Sequence, residues 1–432
     1  MPKNSLHKCL EIDKNHIWHP YTQAKEYKGL SPLCIVRAKG LKLYDAQGKD
    51  YYDTISSWWC NLLGHNIPRI NRAIREQLSK FEHTLFAGVT HYPAIELTER
   101  LLPFLPKGID KAFFSDNGST AVEVALKMCY QYWQRKNPQR GKFVFLKYGY
   151  HGDTIGAMSI SGVSQFNSVF KNLFFKAIMI ESPAVDLQKS LEEYKKILER
   201  QGNKIAGIVL EPILQGAGGM KIYDSKFLDE IYVLSKKYGV HIIVDEIATG
   251  FGRLGKMFAI NFSKLVPDFM CLSKSITNGT LPIGITMTSQ KICRAFYGPY
   301  ENTFFHGHTF TGNPLACVAA RETLSILKEE SILEKAQANI NALARRSLTL
   351  ARYPFIKNLR AKGMICAFEI DSDKYRIGFK LYLEGLRNGI ILRPLGNTIY
   401  LFLPLTTSPA HLSAIFKRLH LTLSSFDCQN NL

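Results

Sequence analysis

Three segments of the chain contain side chains that could bind or react with a small molecule. Gly118 and Ser119 lie in a Gly-Ser-Thr turn that precedes an amphipathic helical pattern. Asp245 and Glu246 follow one apolar run, and Lys274 follows another. Backbone N–H groups at a helix start favour a phosphate, a buried carboxylate needs a cation or strong donor, and a buried amine can attack an aldehyde.

Each segment also has an ordinary structural explanation. Thr120 and Glu123 have the spacing of a capping box, so the turn could be only a capped helix. Asp245 could cap a helix or bind magnesium in a nucleotide hydrolase, although the phosphate loop G-x-x-x-x-G-K-[ST] is missing from the sequence. A single lysine such as Lys274 is more often a solvated surface residue. None of the three segments decides the function alone.

The elements that must position these residues are strands alternating with helices. Helical patterns occupy residues 120–136 and 225–238, where apolar residues recur every three or four positions. Seven runs have the length and composition of strands: 111–115, 142–147, 176–180, 205–210, 241–244, 269–272 and 283–288. This alternation predicts an α/β fold with a mostly parallel seven-stranded sheet, covered on both faces. Ligands of such sheets bind at the carboxyl ends of the strands.

The two ends of the chain have a different pattern. Residues 1–70 are typical of short strands and turns, whereas residues 321–432 alternate helix and strand. A long helical stretch over residues 314–352 lies between the central block and the C-terminal part. We predict a large domain at residues 71–320 and a smaller α/β domain built from both chain ends.

Composition limits the class of protein. With 46% hydrophobic residues, a chain of 432 residues can bury a large core, which excludes a wholly disordered or collagen-like protein. The nine cysteines form no CxxC pair, which is typical of reduced cytosolic proteins. Neither an apolar leader nor an 18-residue apolar run occurs, so we expect a cytoplasmic protein without a membrane partner.

The net charge of +19 raises an alternative function, binding of nucleic acid. The positive residues are, however, spread along the chain, for instance at Lys236, Lys237, Arg345 and Arg346. Neither a concentrated basic tail nor a recognised binding motif occurs. We therefore interpret the charge as a basic solvated surface and expect no nucleic-acid partner.

Taken together, the three segments supply a phosphate site, an acid and an amine at one edge of a sheet. Pyridoxal 5′-phosphate requires these three groups. Residues 245–253, followed by 272–274, resemble the signature of class III aminotransferases, which have the fold-type-I architecture and work as homodimers. Five further segments resemble the branch of this family that aminates 8-amino-7-oxononanoate in biotin synthesis: 17–22, 56–60, 83–88, 149–154 and 305–310. The resemblance extends over about residues 15–405.

The resemblance implies roles around the cofactor. Lys274 would carry pyridoxal phosphate as a Schiff base and then shuttle a proton, and Asp245 would keep the pyridine nitrogen protonated. Tyr150 would lie against the ring, and Glu211 would have a supporting role. Gly118 and Ser119 of one subunit would bind the phosphate. His308 and Thr309 of the partner subunit would complete that site.

The resemblance also implies a substrate pocket. Arg393 would pair with the distal carboxylate of the substrate, because a guanidinium suits a carboxylate better than an ammonium does. Tyr21, Trp58 and Trp59 would bind the long alkyl chain, and Gly307 would contribute its backbone. Tyr400 would help to line the region of Arg393. Tyr21 favours S-adenosylmethionine as amino donor over lysine, the donor of some relatives.

Two positions depart from the family pattern, and one other substrate class stays open. Members often have proline where this chain has His308, and glycine is common where it has Asn278. The alternative is a class III aminotransferase acting on an ω-amino acid such as ornithine or 4-aminobutyrate. That enzyme would share the lysine and the aspartate but would not need the paired tryptophans or Arg393.

Overall fold

The computed structural model describes residues 3–27, 30 and 32–430. In that part of the chain the α-helices are α1 (Lys3–His16), α2 (Ser56–Trp59), α3 (Pro68–Leu78), α4 (Tyr92–Leu101), α5 (Gly118–Lys136), α6 (Ile155–Ser159), α7 (Ser164–Asn167), α8 (Leu187–Gln201), α9 (Lys226–Tyr238), α10 (Gln290–Arg294), α11 (Pro314–Glu329), α12 (Ile332–Ser347), α13 (Ile377–Arg387) and α14 (Pro409–Asn430). Short 3-10 helices lie at Ala24–Tyr27, Leu102–Phe104, Ser168–Leu173, Gly202–Lys204, Ala259–Phe262, Lys274–Thr277, Tyr300–Asn302 and Leu348–Arg352.

The strands of the described chain form one large sheet and three small ones. They are β1 (Ile35–Lys39), β2 (Lys42–Asp45), β3 (Asp50–Asp53), β4 (Lys111–Ser115), β5 (Lys142–Leu146), β6 (Ile178–Ile180), β7 (Ile205–Leu210), β8 (Leu214–Gln215), β9 (Lys221–Ile222), β10 (His241–Asp245), β11 (Phe269–Leu272), β12 (Gly284–Thr288), β13 (Ile356–Lys362), β14 (Ile365–Ile370), β15 (Ile390–Ile391) and β16 (Thr398–Phe402).

The large sheet has the order β4-β12-β11-β10-β7-β5-β6. Strand β12 runs antiparallel to both of its neighbours, and the other paired strands of this sheet run parallel. Every residue of β7, β10 and β11 is buried, as the near-continuous apolar runs of parallel strands require. The predicted α/β fold with a mostly parallel seven-stranded sheet is confirmed.

A smaller α/β unit joins the two ends of the chain. Strand β15, from the C-terminal part, pairs in parallel with β3 near the N-terminus, so that Ile390 lies opposite Tyr52. Strands β13, β14 and β16 form an antiparallel sheet beside it. Helix α14 covers this unit with a buried row that includes Leu412, Phe416 and Leu419. The division at residues 70 and 320 stays a prediction.

Three local predictions were wrong. Helix α5 is capped by Asn117, whose side chain accepts a hydrogen bond from Thr120 N (3.0 Å), so the capping box does not pair Thr120 with Glu123. The predicted long helix breaks at Ser331, which has a left-handed backbone (φ 49°), into α11 and α12. The described N-terminal part begins with helix α1 rather than with strands and turns.

The sheet brings the candidate residues to one edge. Strands β4, β5, β7, β10 and β11 all point the same way, and the turn or loop after each one carries a candidate residue. In chain order these residues are Gly118, Tyr150, Glu211, Asp245 and Lys274, of which Asp245 is the last residue of its strand, β10. Within the described chain, none of the helices is both long enough and apolar enough to span a membrane.

Candidate active site

A pocket of about 640 Å³ opens at the carboxyl ends of the central strands. Its volume lies within the range of small-molecule sites. Seven of the residues predicted from the sequence line it: Trp59, Gly118, Ser119, Tyr150, Glu211, Asp245 and Lys274. The structure therefore brings the phosphate turn, the acid and the amine into one cavity.

Asp245 is held at the floor of the pocket by two partners. It ends strand β10, where Oδ1 accepts a hydrogen bond from Ile247 N at 3.0 Å. The Nδ1 of His151 lies 2.8 Å from Oδ2, and both side chains are almost fully buried. Among the described residues, the Nε2 of His151 has no hydrogen-bond partner. These contacts fix the orientation of the carboxylate.

Lys274 follows strand β11 and has a left-handed backbone, with φ 47°. Its Nζ lies 4.5 Å from the centroid of the Trp59 indole ring. Burial lowers the pKa of Lys274, although the nearby Asp245 and Glu211 oppose that change. Because a lowered pKa leaves more of the amine neutral, Lys274 is suited to act as a nucleophile.

Glu211 supports the loop that carries Tyr150. Its Oε2 accepts a hydrogen bond from Tyr150 N and its Oε1 accepts one from Gly216 N, each at 3.0 Å. Burial raises the pKa of Glu211 to about 7. Burial also raises the pKa of Tyr150, so its hydroxyl keeps its proton.

The phosphate side of the pocket is the N-terminal turn of α5. Gly118 and Ser119 begin this helix, whose free N–H groups favour an anion. Ser119 Oγ accepts a hydrogen bond from Thr154 N (3.1 Å) and lies 2.7 Å from Thr154 Oγ1. Thr154 Oγ1 donates in turn to Glu123 Oε1 at 2.6 Å. Glu123 therefore links α5 to the loop after Tyr150.

The predicted substrate residues form a wall beside the pocket. The guanidinium carbon of Arg393 lies 3.7 Å from the centroid of a Trp58 ring and 5.6 Å from that of the Tyr21 ring. Buried Trp59 donates from Nε1 to the hydroxyl of Tyr400 at 3.1 Å. Tyr21 and Trp58 remain partly exposed, so their rings are accessible to a ligand.

Three further predicted residues belong neither to the lining of this pocket nor to the wall beside it. Gly307, His308 and Thr309 lie in the loop before α11, where Thr309 O is 2.6 Å from His83 Nε2. The backbone N–H of His308 donates to Thr311 Oγ1 at 3.1 Å. Their contribution to the site of a partner subunit stays a prediction.

Sequence reasoning missed four residues that contact the predicted site. His151 holds Asp245, Thr154 contacts Ser119, and Glu123 binds Thr154. Asp153 accepts a hydrogen bond from the Tyr21 hydroxyl at 2.7 Å. Three of the four stand in the segment 149–154, so the signal was present in a motif already noted for Tyr150.

The comparisons with known proteins decide the family. The model of the aminotransferase class-III family matches residues 22–423. This chain belongs to the class III aminotransferases.

This class III aminotransferase is similar in sequence and structure to enzymes that share one name. It is 38% identical over 429 residues to an adenosylmethionine-8-amino-7-oxononanoate aminotransferase of Geobacter sulfurreducens, covering 94% of this chain and 95% of the relative. A Staphylococcus aureus protein of the same name is 40% identical, with 86% of each chain covered. The crystal structure of such an enzyme from Methanocaldococcus jannaschii matches with a TM-score of 0.94 and 36% identity, covering 97% of this chain and 99% of the other. The class III chain is thus a transaminase.

Proposed function

We propose that the pocket binds pyridoxal 5′-phosphate through Lys274, Asp245, Gly118 and Ser119. The fit rests on the chemistry of the donor set, because an amine with a lowered pKa, a fixed carboxylate and a helix start line one cavity. Bound there, the cofactor would supply an electron sink for the carbon that loses or gains the amino group. Tyr150 lies at the same pocket and is suited to contact the ring.

Asp245 would pair with the protonated pyridine nitrogen. A charged carboxylate stabilises a nearby cation more strongly in a buried site than in water. His151 and Ile247 N hold the carboxylate so that it does not need to reorganise when charge develops. His151 is thus proposed as a positioning residue for this contact.

Lys274 would act first as the nucleophile that attaches the cofactor and then as the proton carrier. Both roles need a neutral amine during part of the cycle, and burial in the pocket favours that form. Trp59, whose ring is 4.5 Å from the amine, limits access of water to Nζ. The amine then moves a proton at the substrate carbon.

We propose 8-amino-7-oxononanoate as the amino acceptor and 7,8-diaminononanoate as the product, a step of biotin biosynthesis. The names of the relatives at 38% and 40% identity support this substrate. The residues beside the pocket also support this substrate. Tyr21 and Trp58 offer apolar surface to an alkyl chain, and Arg393 offers a cation to its distal carboxylate. An ω-amino acid would not need this combination.

S-adenosylmethionine is the proposed amino donor, and lysine is the alternative. The names of the relatives support S-adenosylmethionine. We also propose a cytoplasmic homodimer in which His308 and Thr309 complete the phosphate site of the partner subunit. The proposed domains are residues 1–70 with 321–432, and residues 71–320.

One reaction tests this function. Purified protein is incubated with pyridoxal phosphate, 8-amino-7-oxononanoate and either S-adenosylmethionine or lysine, and 7,8-diaminononanoate is measured by mass spectrometry. Product with S-adenosylmethionine supports the full proposal, and product with lysine alone contradicts the donor assignment. A protein that binds the cofactor but yields no product with either donor contradicts the substrate, and ornithine and 4-aminobutyrate are then tested.

A further inference from the structure

Helix α2 is a single left-handed turn. Its four residues are all non-glycine and all have positive φ: Ser56 (49°), Ser57 (44°), Trp58 (69°) and Trp59 (76°). The turn is closed by hydrogen bonds from Trp59 N to Ile55 O and from Cys60 N to Ser56 O, each at 2.9 Å. Left-handed backbone is unfavourable for every residue with a Cβ, so four in succession persist only where other contacts impose them.

The turn contains Trp58 and Trp59, the two tryptophans proposed to bind the substrate. Trp59 is buried, stacks on Phe402 and contacts the Lys274 amine, whereas the Trp58 ring stacks against Arg393. A right-handed or extended backbone at these positions would point both rings elsewhere. The conformation of the turn therefore fixes the spacing between the Lys274 amine and the stacked pair of Trp58 and Arg393.

Asp53 binds the left-handed turn through Ser57. Its buried carboxylate accepts hydrogen bonds from Ser57 N (3.0 Å) and Ser57 Oγ (2.7 Å) and lies 2.8 Å from His65 Nε2. Burial alone would raise the pKa of Asp53, but the bonds from His65 and Ser57 outweigh it and the pKa is lowered. The charged carboxylate is thus the form that the turn binds.

Asn278 holds the segment that leaves the turn. Its Oδ1 accepts hydrogen bonds from Leu62 N and Leu63 N, both at 2.7 Å, and its Nδ2 donates to Gly64 O at 2.9 Å. Asn278 directly follows the 3-10 helix Lys274–Thr277, and its own φ of 54° is one that asparagine tolerates. One buried side chain therefore joins the lysine loop to residues 62–64, which follow the tryptophan turn.

We propose that Asp53, supported by His65 and Asn278, is a positioning residue that imposes the left-handed turn and so sets Trp58 and Trp59 for the amino acceptor. We call these three residues the turn clamp. The inference rests on the proposed function where it assigns the tryptophans to the substrate. It adds that substrate affinity depends on a buried carboxylate that does not itself line the pocket.

The test uses Asp53→Asn in a Trp18→Phe/Trp133→Phe background, in which Trp58 and Trp59 are the remaining tryptophans. Asparagine replaces one accepting oxygen by a donor, so either Ser57 N, which bonds to Oδ1, or Ser57 Oγ and His65, which bond to Oδ2, must lose their acceptor. Asp45→Asn is the matched control. Asp45 is also buried and accepts from Tyr51 and from backbone N–H groups, but it has no contact with the turn.

Three readouts are compared: thermal unfolding, the near-ultraviolet circular dichroism and fluorescence of the two tryptophans, and the KM and kcat for 8-amino-7-oxononanoate. We expect Asp53→Asn, and not Asp45→Asn, to change the tryptophan spectra and to raise KM between about 10-fold and 100-fold, because small misplacements have effects of that size. Wild-type spectra and KM in a folded Asp53→Asn protein would overturn the proposal.

If Asp53→Asn does not fold, Asn278→Gly replaces it, since glycine keeps the left-handed backbone and removes the three side-chain bonds. The same shift in spectra and KM supports the turn clamp, and no shift overturns it. Inactivity of the wild-type protein toward 8-amino-7-oxononanoate would contradict the proposed function instead. The tryptophan spectra test the clamp independently of that outcome.

Discussion

The Nδ1 of His151 lies 2.8 Å from Oδ2 of Asp245, and both side chains are almost fully buried. Because both side chains are shielded from solvent, the contact with His151 sets the orientation of the Asp245 carboxylate. It also explains why a histidine follows Tyr150 in the loop after β5, where its ring reaches the end of β10.

Removing His151 should weaken the site without removing its acid. We expect His151→Ala to lower cofactor affinity and kcat by about 10-fold to 100-fold, the usual effect of losing a hydrogen bond to a charged group. His151→Asn should lose less, because its Nδ2 can donate to Asp245. Cofactor titration by visible absorbance and steady-state kinetics measure both effects, and equal values for the two variants would contradict the role of the hydrogen bond.

Gly152 allows the loop after Tyr150 to approach the helix start. A Cβ at Gly152 would lie 2.2 Å from Ser119 Oγ, and its φ of 122° is unfavourable for other residues. Gly152→Ala should therefore displace Ser119 and weaken pyridoxal phosphate binding by at least about 10-fold, since a polar contact to a charged group is lost. The affinity of the cofactor-free apoprotein for pyridoxal phosphate is measured by absorbance titration.

Gly48→Ala is the matched control for that substitution. Gly48 also has a positive φ, of 86°, but a Cβ there meets no atom within 4 Å. It should reduce thermal stability through backbone strain and leave cofactor affinity unchanged. Equal affinities for the two variants would show that Ser119 is not displaced.

Arg393 should determine affinity for the acceptor carboxylate. We expect Arg393→Ala to raise KM for 8-amino-7-oxononanoate by about 10-fold to 100-fold with a smaller effect on kcat. Arg393→Lys should recover only part of the loss, because an ammonium cannot bind both carboxylate oxygens in one plane. Steady-state kinetics with the free acid and its methyl ester provide the measurement.

Arg387→Ala, in the same small α/β unit but largely exposed, controls for the loss of one positive charge. It should leave both KM values near those of the unchanged protein. If Arg393→Ala discriminates between acid and ester as strongly as the unchanged protein does, Arg393 does not bind the carboxylate.

Glu246 should make stability depend on pH. Burial raises the pKa of Glu246 to about 7, from 4.5 when exposed. Because the folded state holds the proton more tightly, the contribution of Glu246 to stability is fully present below pH 4.5 and is lost as pH rises through 7. Glu246→Gln removes this dependence, so its melting temperature relative to wild type should rise by several degrees between pH 5 and pH 8.

Differential scanning calorimetry at the two pH values checks this expectation. Glu230→Gln is the control, because Glu230 is exposed on helix α9. A melting-temperature difference between Glu246→Gln and wild type that stays constant with pH would contradict the raised pKa. The carboxylate accepts from Ile260 N at Oε1 and from Thr249 Oγ1 at Oε2, so in the glutamine variant the amide oxygen can accept from Ile260 N while the amide nitrogen donates to the Thr249 hydroxyl.

The sequence predicted the central sheet well because its strands are buried apolar runs, whose signal is local. Asp245 and Lys274 were found for the same reason, since each directly follows such a run. The left-handed turn at Ser56–Trp59 could not be predicted, because serine and tryptophan do not mark left-handed backbone and the side chains proposed to hold the turn lie outside it.

Other misses have similar physical causes. Thr120 and Glu123 have the spacing of a capping box, but Asn117 lies three residues before Thr120 and forms the box with it: Asn117 Oδ1 accepts from Thr120 N, and Asn117 N donates to Thr120 Oγ1. Glu123 is instead bound to Thr154, a contact across 31 residues. Ser331 ends the predicted long helix without proline or glycine, so no residue type marked the break.

The central claim is that Lys274 holds pyridoxal phosphate. Protein incubated with the cofactor is reduced with borohydride, which makes a lysine-bound cofactor permanent, and its peptides are then mapped by mass spectrometry. We predict that the cofactor mass is found on the peptide containing Lys274 and that Lys274→Ala protein carries none. Modification of a different lysine, or equal modification of the Lys274→Ala protein, would contradict the account.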